Sequence, residues 1–163
     1  MNRTIRLILI ILLVIFVIIQ FIRPAKNISP GLNNYDISNR YSMSPEVQKI
    51  FQNSCYDCHS NNTRYPWYWQ VQPVTWWMNG HISDAKREVN YSQFLSYPAR
   101  KQFKKIEATD EEVQKGDMPL PSYTIIHRTA KLNDEQKKLV KAWADSVLNQ
   151  LKSSYPPDSL LKK

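Results

Sequence analysis

The 163-residue chain has two cysteines, and both stand in one pentapeptide, Cys55-Tyr56-Asp57-Cys58-His59. Two cysteines so close together cannot form the disulfide framework that holds many small exported folds, so a hydrophobic core must do that work. If the pentapeptide is a helical turn, residues 55, 58 and 59 fall at i, i+3 and i+4. Two sulfurs and one imidazole then share a face. The composition permits such a core, with 42% apolar and 22% charged residues. Three glycines against ten prolines argue against a Gly-rich phosphate loop and against sheets joined by tight glycine turns.

Hydrophobic periodicity predicts an all-α fold. Ser44-Pro45-Glu46 reads as a helix start, with Ser as N-cap, Pro in the first helical position and an acid in the first turn. Val47, Ile50, Phe51 and Ser54 follow at helical spacing and lead into Cys55. A second stripe runs through Val74, Trp77, Met78, His81, Ile82, Ala85 and Val89. Pro98 opens a third helix through Phe103, Ile106 and Val113, with Gly116 as its C′ residue. Asn133 and Gln136 form a capping box for the fourth, whose buried stripe is Leu139, Val140, Trp143, Val147, Leu148 and Leu151. No alternating strand pattern and no internal repeat is visible.

Leu7 to Ile19 is an unbroken apolar run, extended past Gln20 by Phe21 and Ile22. It reads as a single transmembrane helix, somewhat short of a ~30 Å hydrocarbon core, with Arg6 and Arg23 able to snorkel. A cleaved signal peptide would need small residues after the run, and Gln20-Phe21-Ile22-Arg23-Pro24 offers none. Arg3 and Arg6 would keep the N-terminus cytoplasmic. The expected organisation is an anchor or uncleaved signal over 1–23, a Pro-, Asn- and Ser-containing linker over 24–44, a folded domain over 45–151 and a tail over 152–163. The expected location is the bacterial inner membrane, crossed once through residues 7–22, with the domain in the periplasm. A net charge of +8, partly carried by the first 23 residues, is too weak to argue for nucleic acid.

Cys-x-x-Cys-His is the attachment signature of c-type haem. Cys55 and Cys58 would add to the two vinyl groups of one porphyrin edge, leaving the His59 imidazole as proximal ligand. A redox disulfide would be expected after a strand in a βαβ unit, which is absent. A zinc site would need His81 and His127 both to close it from a distance, without a second Cys-x-x-Cys. Candidates for the distal iron ligand are Met118, His81, Met78 and His127. Met118 lies in the proline-stiffened Gly116-Asp117-Met118-Pro119-Leu120-Pro121, and methionine opposite histidine raises a haem potential. His81 is its rival from an apolar helical face. Four of five tryptophans crowd into residues 67–77, and Trp67, Trp76 and Trp77 are candidates for packing on the porphyrin. Arg64 is a candidate propionate partner.

The stretches Cys-Tyr-Asp-Cys-His-Ser-Asn-Asn-Thr-x-Tyr-Pro-Trp-Tyr, Pro-Val-x-Trp-Trp and Gly-Asp-Met-Pro-Leu-Pro-Ser-Tyr-Thr resemble the bacterial haem-binding domain family, anchored monohaem proteins, over roughly residues 35–150. Met118-Pro119 followed by a terminal helix also resembles class I c-type cytochromes. The resemblance implies a cytochrome c-like domain around one covalent haem c. Cys55 and Cys58 would be attachment sites, His59 the proximal ligand and Met118 the distal one. A long tryptophan-rich insert after His59 departs from a minimal cytochrome and leaves Met78 and His81 open. The expected function is single-electron transfer between redox partner proteins, by a carrier and not a catalyst. The alternative is a haem enzyme or sensor with an open distal site, using His81 in peroxide chemistry.

Overall fold

A computed structural model describes residues 2–29, 31 and 33–161. Pro30 and Leu32 of the expected linker, and Lys162 and Lys163 of the expected tail, lie outside the described residues. Among the described residues eight α-helices follow in order: α1 (Arg3–Ile19), α2 (Pro45–Ser54), α3 (Tyr56–His59), α4 (Val74–Glu88), α5 (Ala99–Lys115), α6 (Pro121–Ile126), α7 (Asp134–Ser154) and α8 (Pro157–Leu161). Short 3₁₀ turns at Ile37–Asn39, Trp67–Gln70, Tyr91–Ser96 and Arg128–Ala130 join them. Among the described residues there is no strand, only an isolated bridge between Ile28 and Asn62.

Local chemistry sets the helix ends. The Ser44 hydroxyl accepts from the Val47 amide at 3.3 Å, and Pro45 fills the position whose missing N–H costs nothing. α5 stops at Gly116, whose φ of +84° is the left-handed conformation that glycine adopts without strain. The next two amides, of Asp117 and Met118, turn back to the Glu112 carbonyl at 3.0 and 3.2 Å. α7 opens on a reciprocal capping box. Asn133 Oδ1 accepts from the Gln136 amide at 2.8 Å, and Gln136 Oε1 accepts from the Asn133 amide at 3.0 Å.

α7 lies across α5 and α2, α8 folds back on α5, and α3 rests on α4. Phe51 of α2 is fully buried where these elements meet, with the rings of Trp143, Tyr91 and Tyr56 at 4.8, 5.1 and 6.0 Å. Burying one such ring contributes about 1.5–3 kcal/mol. The inner face of α7 is Val140, Trp143, Ala144, Val147 and Leu151. Leu139, one residue to the side of that stripe, is exposed. A second cluster, Ile50, Val113, Leu132 and Val140, receives Met118 against its edge.

The expected membrane span is overturned. No helix among the described residues is long and apolar enough to cross a membrane. α1 has 17 residues, about 25 Å at 1.5 Å per residue, against a ~30 Å hydrocarbon core. The apolar run continues to Ile22, but the helix does not, because residues 20–23 are bonded to a distant loop. Gln20 Oε1 accepts from the Gln72 amide at 2.9 Å, Gln72 Nε2 donates to the Ile22 carbonyl at 2.6 Å, and Arg23 donates to the Gln70 carbonyl at 2.9 Å. Single-pass placement in the inner membrane with a periplasmic domain is therefore not supported. Downstream, Ile37 and Tyr41 enter the main core, and the buried Tyr41 hydroxyl donates to Gln102 Oε1 at 2.8 Å.

Candidate functional site

α2 and α3 form one interrupted helical path with Cys55 at the break, at φ −124° and ψ −47°. The turn still closes, since the Cys58 and His59 amides donate to the Cys55 carbonyl at 3.2 and 2.9 Å. The two cysteines are free thiols. Burial raises the Cys55 thiol to about 12, with the Cys58 sulfur a smaller cause. Burial, then Asp57, raises Cys58 to about 11. Both are protonated at neutral pH and kept from casual chemistry.

His59 is oriented by backbone alone. Its Nδ1 lies 2.9 Å from the Val89 carbonyl and 3.1 Å from the Ala85 carbonyl, at the C-terminal end of α4. Carbonyls only accept, so Nδ1 carries the proton and Nε2 holds the lone pair. Among the described residues nothing bonds to Nε2. Burial lowers the His59 pKa below the ordinary imidazole range, outweighing the two carbonyl bonds that act the other way. The ring is neutral and directional, as a metal ligand must be.

Two cavities flank this turn. The first, about 360 Å³, is lined by Cys55, His59 and Met118, with Tyr91, Val113 and Leu132 among its walls. The second, about 490 Å³, is lined by Cys58, Met78, His81, His127, Trp77 and Tyr123 among others. Consecutive residues Pro119 and Leu120 line one each, so the cavities lie side by side along the turn and under the loop after Met118. Both volumes fall within the ~300–1,000 Å³ of small-molecule sites.

Of the sequence candidates, Cys55, His59 and Met118 meet at one cavity, while Cys58, His81, Met78 and His127 meet at the other. His81 donates Nδ1–H to the Trp77 carbonyl at 3.0 Å, which leaves its Nε2 without a partner among the described residues. His127 Nε2 shares a 2.7 Å hydrogen bond with the Tyr68 hydroxyl. Trp77 lines the second cavity although half-exposed, whereas Trp67, 78% exposed, and Trp76 line neither. The buried member of that group is Trp69, its ring tilted against Tyr65 at 4.6 Å and covered by the Lys26 ammonium at 5.0 Å.

Asp57 is the residue that sequence reasoning missed. Its carboxylate receives Arg64 Nε at 3.0 Å and the Tyr123 hydroxyl at 2.7 Å. An acid inside the pentapeptide with an arginine seven residues on was a readable sign of the first pair. Nothing local could reveal the second, since Tyr123 lies 66 residues away. Burial, then Asp57, pushes the Tyr123 hydroxyl well above its ordinary pKa, so it remains a donor.

A neutral, backbone-oriented imidazole beside two half-buried thiols and two largely apolar cavities suits a protein that holds a metalloporphyrin. The haem-binding domain family matches residues 14–146, and the chain belongs to that family. No curated protein and no solved structure matches the chain.

Proposed function

We propose that the chain carries a single haem attached through Cys55 and Cys58 and passes single electrons between protein redox partners. The observation that supports this most directly is the convergence of Cys55, His59 and Met118 on one cavity, with His59 Nε2 left open by the carbonyl bonds to Nδ1. When bound, haem would supply a one-electron iron couple, and the residues that would hold its iron are His59 and Met118. Cys55 and Cys58 would hold the porphyrin as thioethers, the S–H of each adding across one vinyl group with sulfur on one carbon and the proton on the other. His59 would hold the metal through its Nε2 lone pair, with the Val89 and Ala85 carbonyls holding the ring and strengthening it as a donor. Met118 would supply the sulfur from a loop anchored on the Glu112 carbonyl. Tyr91, Val113 and Leu132 give the cavity apolar walls.

The second reading is catalysis or sensing at an open distal position. One observation favours it: His81 lines the larger cavity with its Nε2 unpartnered among the described residues. One preparation separates the readings. The chain is matured in a host equipped for haem ligation, and its pyridine haemochrome spectrum, intact mass and cyanide binding are measured. A carrier shows one acid-stable haem and slow cyanide binding, which Met118→Ala makes fast. Colourless protein overturns covalent attachment. Fast cyanide binding by the unmodified chain overturns the carrier and supports the open site.

A further inference from the structure

α6 carries Tyr123 and begins three residues after Met118. The helix has six residues and none of them is buried, with Ile125 and Ile126 exposed. Hydrophobic burial therefore does little to hold it. Two phenol bonds do hold it. Tyr123 donates to Asp57 Oδ2 at 2.7 Å, across to the turn between the two cysteines. Its ring stacks on His127 at 4.4 Å and 22°, and His127 is bonded in turn to Tyr68 of the Trp67–Gln70 turn at 2.7 Å.

Asp57 is built to receive this bond. Its side chain is only 12% exposed, and Arg64 binds both oxygens, with Nε at 3.0 Å and a terminal nitrogen at 3.2 Å. The Arg64 backbone amide adds a further bond at 3.2 Å. A phenol donating to a part-buried carboxylate is among the stronger hydrogen bonds a protein makes. Upstream of α6, the Asp117 and Met118 amides are fixed to the end of α5. The methionine is thus held from both sides, by α5 before it and by Tyr123 after it.

We propose that the Asp57–Tyr123 bond is a latch that positions Met118, so that Asp57 and Tyr123 set how readily an external ligand displaces the methionine. The inference rests on the reading of Met118 as distal ligand, and it goes beyond that reading. Through this bond the residue between the cysteines ties the distal loop to the attachment turn. Arg64 keeps Asp57 paired when the phenol is gone, so Tyr123→Phe removes the latch without orphaning the carboxylate.

The test is cyanide or imidazole binding to the ferric, haem-loaded full chain. Tyr123→Phe is expected to raise affinity and binding rate about 10- to 100-fold, the worth of one hydrogen bond to a charged group. Asp57→Asn keeps an oxygen for the phenol but loses the charge, and shifts binding in the same direction by less. In a Met118→Ala background the Tyr123→Phe effect disappears, because there is no methionine left to position. A merely structural role for Tyr123 would act equally in both backgrounds, and that result overturns the latch. Fast binding in Met118→Ala with Tyr123→Phe unchanged from wild type also overturns it, while sparing the ligand assignment. If Met118→Ala itself binds no faster than wild type, the ligand assignment fails.

Discussion

Asn27→Ala should destabilise the folded domain although Asn27 lies 28 positions before the first cysteine and lines neither cavity. Its side chain makes three bonds. Nδ2 donates to the Ser60 carbonyl at 2.8 Å and to Thr63 Oγ1 at 2.9 Å, while Oδ1 accepts from the Lys86 ammonium at 2.6 Å. Alanine removes all three and leaves the backbone bonds to Tyr65 and Thr63 intact. Ser60 and Thr63 are buried, so their groups cannot all turn to water. Burial already lowers the Lys86 pKa, so its ammonium is poorly placed to lose an acceptor. Neutral bonds contribute ~1 kcal/mol each and the bond to the part-exposed ammonium about as much, for a loss near ~3 kcal/mol. At ~2–4 °C per kcal/mol for a chain of this size, the melting midpoint should fall by roughly 6–12 °C. Far-ultraviolet circular dichroism on the whole chain measures it. A shift below ~1–2 °C, the behaviour of an ordinary surface substitution, would refute the claim that residues 23–29 are docked on the domain.

Phe51→Ala should cost about 3–5 kcal/mol, read as a lower urea midpoint, because three rings lose their common contact. Gly116→Ala should cost about 1–2 kcal/mol, since φ of +84° strains any Cβ, while the nearest atom to that Cβ is a lysine tip 3.4 Å away that yields easily; thermal denaturation reads it. In the haem-free chain Cys55 and Cys58 have pKa values raised to about 12 and 11, so iodoacetamide should label both slowly at neutral pH. Labelling should quicken as pH rises toward those values, with Cys58 leading, and denaturant should abolish the difference. Equal labelling rates in the native and unfolded chain would contradict the burial.

Helix starts and stops were legible because they are local. Ser44-Pro45-Glu46, Gly116 and the Asn133–Gln136 box each carry their physical cause within four residues, and each stands where the pattern predicted. The spacing within residues 55–59 likewise foretold a shared turn. The end of α1 was not legible, because what turns Gln20 aside is Gln72, 52 residues on. Leu139 belongs to an apolar stripe by spacing, yet it sits at the stripe's margin and meets solvent. The tryptophan cluster could be counted but not oriented. Composition cannot tell the buried Trp69 from the exposed Trp67 two positions earlier. The carboxylate between the cysteines was visible, but its phenol partner was hidden by chain distance.

The acceptors that fix His59 belong to residues 85 and 89 as main chain, so no side-chain replacement there deletes them. What does matter is helical phase. Adding or dropping one residue within 74–88 would swing the end of that helix by about 100° and carry both oxygens away from the imidazole. Substitution is therefore a mild threat to this imidazole's orientation and a shift in length a severe one, so the spacing from His59 to Val89 is a stricter constraint than the identities of most residues between them.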